Sequence, residues 1–151
     1  MKLPKLGVVV VNYNNPEDTR ETLKSLYEAN SPKIKLNIYL VNNGCTDLES
    51  RYLKEEFPLL TQVDSDKNLG FGGGNNLGIK KALQQRVDYI MLVNNDIKIK
   101  SKDFFGEMLK IKKDLVAPVI YSYVNKVKKY DFGGVVDKLF GRNTHLKSQS
   151  K

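Results

Sequence analysis

The chain has 151 residues and a formal net charge of +8, with 40% hydrophobic and 28% charged residues, a balance that fits one globular domain and excludes a disordered chain. No apolar run approaches the roughly 20 residues that cross a bilayer, and the N-terminal MKLPKLG lacks a signal-peptide core, so we expect a cytoplasmic protein. The single cysteine, Cys45, excludes a disulfide framework and a cysteine-cluster zinc site.

Strand and helix patterns then alternate along the chain. Short apolar runs predict five β-strands, at residues 6–12, 36–41, 59–63, 89–93 and 115–120. Cap residues and apolar spacing predict four helices, beginning at Pro16, after Thr46-Asp47, after the glycine stretch whose Gly74-Asn75-Asn76 runs straight into a helix, and after Ser101. Repeated strand–helix units with short connections imply a mostly parallel sheet with helices on both faces, which is a Rossmann-like α/β fold.

Polar residues follow four of the predicted strands. They are NYN at 12–14, NNGCTD at 42–47, DSDKNLG at 64–70 and NND at 94–96. Ligands of parallel sheets bind outside the carboxyl ends of the strands, so these segments predict one shared site. Asp96 at the end of the fourth strand is a candidate ligand for Mg²⁺ or Mn²⁺. The alternative is a turn in which Asn94, Asn95 and Asp96 only satisfy backbone groups.

The glycine-rich run NLGFGGGNNLG at 68–78 follows the third predicted strand. A dinucleotide fingerprint belongs to the first strand–helix turn, which here is NYNNP and has no glycine. A P-loop is excluded because no glycine run is followed by Lys-Ser or Lys-Thr. We therefore interpret the run as one wall of a ligand pocket, whose glycines let the backbone approach the ligand.

Four segments in order, VVVVNYN, LVNNGCTD, NLGFGGGNNLGI and MLVNND, resemble the nucleotide-sugar-binding half of inverting family 2 glycosyltransferases, in the style of the rhamnosyltransferase-like branch. The resemblance implies a GT-A fold, truncated at its C-terminal side. It places the nucleotide-sugar-binding domain at residues 1–140 and leaves a basic polar tail at 141–151.

The resemblance also implies roles for individual residues. Tyr13 would pack on the nucleotide base with Val11 and Asn12 beside it, and Asn42 stands where the family usually has an aspartate. Asn68, Gly70 and Asn76 would form the donor loop. Asn95 and Asp96 match the end of the family's DXD element, and Asp96 would hold Mg²⁺ or Mn²⁺ at the diphosphate of a UDP-, dTDP- or GDP-sugar.

An inverting transfer to a glycan or lipid-linked acceptor needs a general base. No residue matches that base, and we expect Asp131 and Asp137 to be structural. Either the chain is a fragment or a natural minimal version, or a homodimer or a complementing polypeptide supplies the remainder. The alternative function is a non-catalytic nucleotide-binding subunit or interaction module. The lysine-rich last third is either a solvated face or a contact with the inner face of the membrane. Nucleic-acid binding is not favoured, because basic and aromatic residues do not interleave as in RNA-binding surfaces.

Overall fold

The computed structural model describes residues 2–136 and 143–145. Two compact units make up the chain, Met1–Lys110 and Ile111–Lys151, and each is described by itself. Asp137 and the predicted tail, apart from residues 143–145, lie outside the described residues. No described helix is long and apolar enough to cross a membrane. The cytoplasmic location and the membrane contact stay predictions.

The first unit is a four-stranded parallel sheet, in which the strands at Thr61–Ser65, Lys35–Asn43, Lys5–Asn12 and Tyr89–Asn94 lie side by side in that order. Its strands are β1 (Lys5–Asn12), β2 (Lys35–Asn43), β3 (Thr61–Ser65) and β4 (Tyr89–Asn94). Its helices are α1 (Pro16–Glu28), α2 (Leu48–Glu56), α3 (Gly70–Gln84) and α4 (Phe104–Lys110). This architecture confirms the predicted α/β fold.

Side-chain alternation along β1 and β2 divides the core between the two sheet faces. Val8, Val10 and Leu40 belong to a cluster that includes buried residues of α1 and α2. Val9 and Tyr39, one residue along, pack instead with Ala82 of α3. Both faces are buried, as the uninterrupted apolar runs predict.

The predicted caps of the first two helices are confirmed. Asn15 caps α1 by accepting a hydrogen bond from the Asp18 N–H, and Asp47 caps α2 by accepting one from Ser50. The two later helix starts were wrong. Helix α3 begins at Gly70, inside the glycine stretch that the sequence placed before the helix, and α4 begins at Phe104, so Ser101 is not its cap residue.

The second unit contains two antiparallel pairs, β5 (Ile120–Val124) with β6 (Val127–Asp131) and β7 (Gly134–Val136) with β8 (Asn143–His145). The predicted fifth parallel strand at 115–120 is therefore wrong. Asn125 and Lys126 both have positive φ, 51° and 66°, which is the geometry of a tight two-residue hairpin turn. Because of this turn, β5 pairs with β6, the next strand along the chain, and not with a parallel strand.

Candidate functional site

A cavity of about 360 Å³ opens in the first unit, where β1 and β4 end. The chain places β2 and then β3 on one side of β1 and then crosses to place β4 on the other side, so the cavity lies at the switch point where open α/β sheets bind ligands. Its lining comes from four segments: Val11, Tyr13 and Asn15; Asn43; Asn68, Gly70 and Phe71; and Val93, Asn94, Asn95 and Asp96.

The structure brings together six of the nine predicted site residues at this cavity. They are Val11, Tyr13, Asn68, Gly70, Asn95 and Asp96. Asn12, Asn42 and Asn76 are not among the described lining residues. That the six contact a ligand stays a prediction.

Asn12 and Asn42 are buried in a polar network beside the cavity. The Asn12 amide nitrogen donates to Asn42 Oδ1 at 3.3 Å and to Ser50 Oγ at 2.7 Å. Asn12 Oδ1 accepts from the Asn15 N–H and the Thr19 hydroxyl, both at 3.2 Å. These bonds use the full capacity of the Asn12 side chain, so its structural role is to join β1 to the starts of α1 and α2.

Asn42 extends the same network toward β3. Its amide nitrogen donates to Asp64 Oδ1 at 2.9 Å and to the Ser50 carbonyl at 3.4 Å. Asn42 thus stands where the family that this chain resembles usually has an aspartate, and its buried amide already donates to the Asp64 carboxylate. Contact of Asn42 with a ligand stays a prediction.

Asn43 was missed in the sequence although it lines the cavity. Its Oδ1 accepts from the Leu69 N–H at 2.9 Å, and its amide nitrogen donates to Asn68 Oδ1 and to the Gly70 carbonyl, both at 3.1 Å. Asn43 therefore holds the start of α3 against the end of β2. Side chains alternate between the two sheet faces along a strand, so Leu40 and Val41 lie on opposite faces. Asn43 is two residues after Val41 and therefore lies on the same face, toward α3. This alternation was the available signal.

The glycines of α3 serve packing more than ligand approach. A Cβ at Gly78 would overlap the Val9 side chain, and one at Gly74 would lie 2.8 Å from Val11 Cγ1. Both positions therefore let α3 lie close to the sheet. Gly70 is different, because it has a φ of +69° with open space around it and stands at the cavity. Only this glycine fits the predicted close approach of backbone to a ligand.

Two aromatic side chains, Tyr13 and Phe71, are exposed at the cavity, with 52% and 67% of their surface accessible. Large exposed aromatic groups beside a polar cleft provide surfaces on which a planar ring can stack. Tyr13 follows β1, and Phe71 lies in the first turn of α3. That first turn carries no acidic residue, so the positive end of the helix dipole is left uncompensated at the cavity.

Asp96 is the acidic residue among the described lining residues, and its side chain is exposed. The described residues contain no cluster of three or more His, Cys, Asp or Glu that could enclose a metal ion. Mg²⁺ and similar hard cations are commonly held by one or two carboxylates together with substrate phosphates. An exposed carboxylate with the Asn94 and Asn95 amides beside it fits that kind of shared site.

The sheet order, crossovers and cleft define a GT-A fold, the α/β fold of nucleotide-sugar transferases. The family description Glycosyl transferase family 2 matches residues 7–148. The chain belongs to this family.

Similar proteins agree with that assignment. The low-salt glycan biosynthesis hexosyltransferase Agl10 of Haloferax volcanii is 28% identical over 102 residues, which are 67% of this chain and 31% of that protein. The S. aureus TarS structure with UDP-GlcNAc superposes with a TM-score of 0.60 and 24% identity, over 70% of this chain and 30% of that one. The structure of the mannosyltransferase PcManGT of Pyrobaculum calidifontis with GDP-Man and Mn²⁺ superposes with a TM-score of 0.61 and 23% identity. The superposition covers 76% of this chain and 34% of that one. This chain therefore spans about a third of its relatives' length.

Proposed function

We propose that the cavity binds a nucleoside-diphosphate sugar together with a divalent cation, as the donor site of an inverting glycosyl transfer to a glycan or lipid-linked acceptor. The observation that carries the proposal is the convergence of an exposed aromatic ring, Tyr13, and an exposed carboxylate, Asp96, in one cleft at the ends of β1 and β4. The solved relatives with UDP-GlcNAc and with GDP-Man and Mn²⁺ support the ligand class.

Tyr13 provides the surface for the nucleotide base. Its ring is more than half exposed, while the backbone beside it is fixed by the Asn12 network. Stacking is tolerant of ring type, so Tyr13 accepts uracil, thymine or guanine. Discrimination between UDP-, dTDP- and GDP-sugars then depends on the hydrogen bonds that the base edge makes.

Asp96 provides the charged ligand for the cation, with the diphosphate completing the coordination. When bound, Mg²⁺ or Mn²⁺ stabilises the negative charge that grows on the departing nucleoside diphosphate. The N-terminal turn of α3 lies on the cavity wall at Gly70 and Phe71 and favours an anion there. Carboxylate, cation and helix dipole thus form a charge pattern complementary to a diphosphate.

A second candidate function is nucleotide binding without turnover. Asp96 is the one acid among the described lining residues. If Asp96 holds the cation, none of these residues provides a second carboxylate to deprotonate the acceptor. The general base would then come from a complementing polypeptide or from a second copy of the chain.

Calorimetric titration tests the binding proposal. UDP-, GDP- and dTDP-sugars are titrated with Mn²⁺ and with EDTA, and we expect one of them to bind more tightly with the metal. The substitution Asp96→Asn should abolish that metal-dependent gain, while Asp66→Asn, an exposed acid outside the cavity lining, should retain it. Failure of all three donors to bind under either condition would refute the proposal.

Turnover separates the two candidate functions. Release of nucleoside diphosphate is measured with the donor that binds, with and without sugar acceptors. Transfer or hydrolysis that disappears in Asp96→Asn supports the enzyme. Tight, metal-dependent binding without any release supports the binding subunit.

A further inference from the structure

Three buried hydroxyl side chains on α1 face the segment that carries Asp96. Thr19, Thr22 and Ser25 recur at every third position and are 0%, 1% and 7% exposed. Residues three apart on a helix lie on one face, so the hydroxyls form a row along α1. We call these three residues the hydroxyl row. Each is buried, so each must find hydrogen-bond partners within the protein.

Each hydroxyl of the row has a partner within residues 95–99, besides its bonds near α1: Thr19 donates to Asn12 Oδ1 and to the Asn15 carbonyl, and Ser25 donates to the Thr22 carbonyl. The Asn95 amide nitrogen donates to Thr19 Oγ1 at 3.0 Å. Thr22 Oγ1 accepts from the Ile97 N–H at 3.1 Å and donates to the Ile97 carbonyl at 2.9 Å. Ser25 Oγ accepts from the Ile99 N–H at 3.2 Å. Alternate residues of the segment are therefore fixed to successive hydroxyls of the helix.

The segment has no regular structure that could hold it otherwise. Residues 95 and 96 form a turn, and residues 97–100 are neither helix nor strand. The half-buried backbone groups at Ile97 and Ile99 therefore pair with side chains, because no helix or strand supplies partners to them. Thr22 supplies both partners to Ile97, and Thr19 holds Asn95, so Asp96 lies between two fixed neighbours.

We propose that the hydroxyl row positions Asp96 for cation binding, an inference that rests on the proposed function. The row does not touch the cation itself; it acts through the Asn95 side chain and the Ile97 backbone on either side of Asp96. Partners that orient a metal ligand commonly contribute about 10- to 100-fold to metal affinity. Asp96 is exposed, and a single carboxylate must supply the protein's charged contact, so its orientation decides how well the cation is shared with a diphosphate.

An exposed ion pair joins the same helix to the same segment and provides a matched control. Lys98 Nζ lies 3.1 Å from Glu21 Oε2, with side-chain exposures of 62% and 49%. Exposed pairs of this kind hold little free energy. If any link between α1 and residues 95–99 sufficed, removal of this pair would matter as much as removal of the row.

The test measures UDP, GDP and dTDP affinity with Mn²⁺ and with EDTA in Thr22→Val, Thr22→Ser, Ser25→Ala and Glu21→Gln. Thr22→Val keeps the side-chain shape and loses both bonds to Ile97, so we expect about a 10-fold or greater loss of the Mn²⁺-dependent affinity. The affinity in EDTA should stay within about twofold. Thr22→Ser should restore the Mn²⁺-dependent affinity, and Glu21→Gln should leave it unchanged. Ser25→Ala, whose bond is farther from Asp96, should lose less than Thr22→Val.

Amide hydrogen exchange gives a readout without metal or nucleotide. Thr22→Val should accelerate exchange at Ile97 while the β1 and β2 amides stay protected. Mn²⁺-dependent binding that is equal in folded Thr22→Val and in the unsubstituted chain would overturn the inference and leave the proposed function standing. Should Thr22→Val fail to fold, Ser25→Ala decides: faster exchange at Ile99 with no loss of Mn²⁺-dependent affinity would overturn the inference instead. Absence of Mn²⁺-dependent binding in the unsubstituted chain would overturn both proposals.

Discussion

The two faces of the sheet hold the cavity walls by different physical means. On the α1 and α2 face, buried amides and hydroxyls bond to one another, with Asn12 and Asn42 at the centre. On the α3 face, Gly74 and Gly78 let the helix lie against the strands, and Asn43 bonds the helix start to the end of β2. The buried asparagines therefore fix loops, and the exposed groups between them, Tyr13 and Asp96, are left for a ligand.

The largest expected effect comes from breaking the hydrogen-bonded face. Asn12→Ala removes four side-chain hydrogen bonds and leaves Asn42 Oδ1 and the Asn15 N–H without this partner. Buried groups that lose partners in this way cost about 1–3 kcal/mol each, so the free energy of unfolding should fall by about 2–4 kcal/mol. Chemical denaturation measures it. Asn94→Ala, at an exposed asparagine of the cavity, should change it by less than about 0.5 kcal/mol. Equal losses would show that the two kinds of asparagine do not differ.

Much of this contrast could be predicted from the sequence, and the part that could not has identifiable causes. The runs at 6–12 and 36–41 are apolar and β-branched enough to specify buried strands. The expected convergence of the carboxyl ends of the first and fourth strands placed Tyr13 and Asp96 in one cleft. Asn42 was given the ligand role because the resembling family has an aspartate there. Strand alternation turns Asn42 away from the cavity and Asn43 toward α3.

Tertiary packing explains the other differences. Gly70, Gly72 and Gly73 have poor helix propensity, so the sequence predicted a loop there. The helix α3 nevertheless begins at Gly70. Packing of the later glycines against Val9 and Val11 outweighs that local preference. The hairpin of β5 and β6 depends on a positive φ at Lys126, which lysine does not signal. Residue type alone therefore could not reveal it.

The packed face is tested by adding one methyl group. Gly78→Ala places a Cβ against Val9 and should lower the free energy of unfolding by about 1–3 kcal/mol, the usual cost of overpacking. Gly72 lies in the same helix with nothing within 4 Å of an added Cβ, so Gly72→Ala should raise stability by about 0.5–1 kcal/mol through its better helix propensity. Thermal unfolding of the two variants compares them directly. A neutral Gly78→Ala would show that α3 does not depend on close packing.

The exposed groups between the faces should affect binding and not folding. Tyr13→Ala removes the proposed stacking surface and should weaken nucleotide affinity about 3- to 10-fold, because such contacts contribute about 0.5–1.5 kcal/mol. Since the ring is 52% exposed, stability should change little. Titration with UDP, beside Tyr13→Phe as the variant that keeps a ring, measures the loss. An unchanged affinity in Tyr13→Ala would remove Tyr13 from the site.

The smallest effect concerns the exposed ion pair between Glu21 and Lys98, which lies on the same helix as the buried hydroxyl row. The pKa of Glu21 lies below its ordinary value of 4.5. The largest cause is the hydrogen bond from Lys98, followed by the positive charge of Lys98 and then by the hydrogen bond and charge of Lys24. Because the folded-state pKa is the lower one, the stabilisation is present above the unfolded-state pKa and is lost as the pH falls through the folded-state pKa. Carboxyl NMR titration should show the Glu21 pKa rising toward its ordinary value in Lys98→Ala, and in high salt as the pair is screened. If the Glu21 pKa changes neither in Lys98→Ala nor in high salt, the Glu21–Lys98 ion pair is absent in solution. The buried hydroxyl row would then hold residues 95–99 without it.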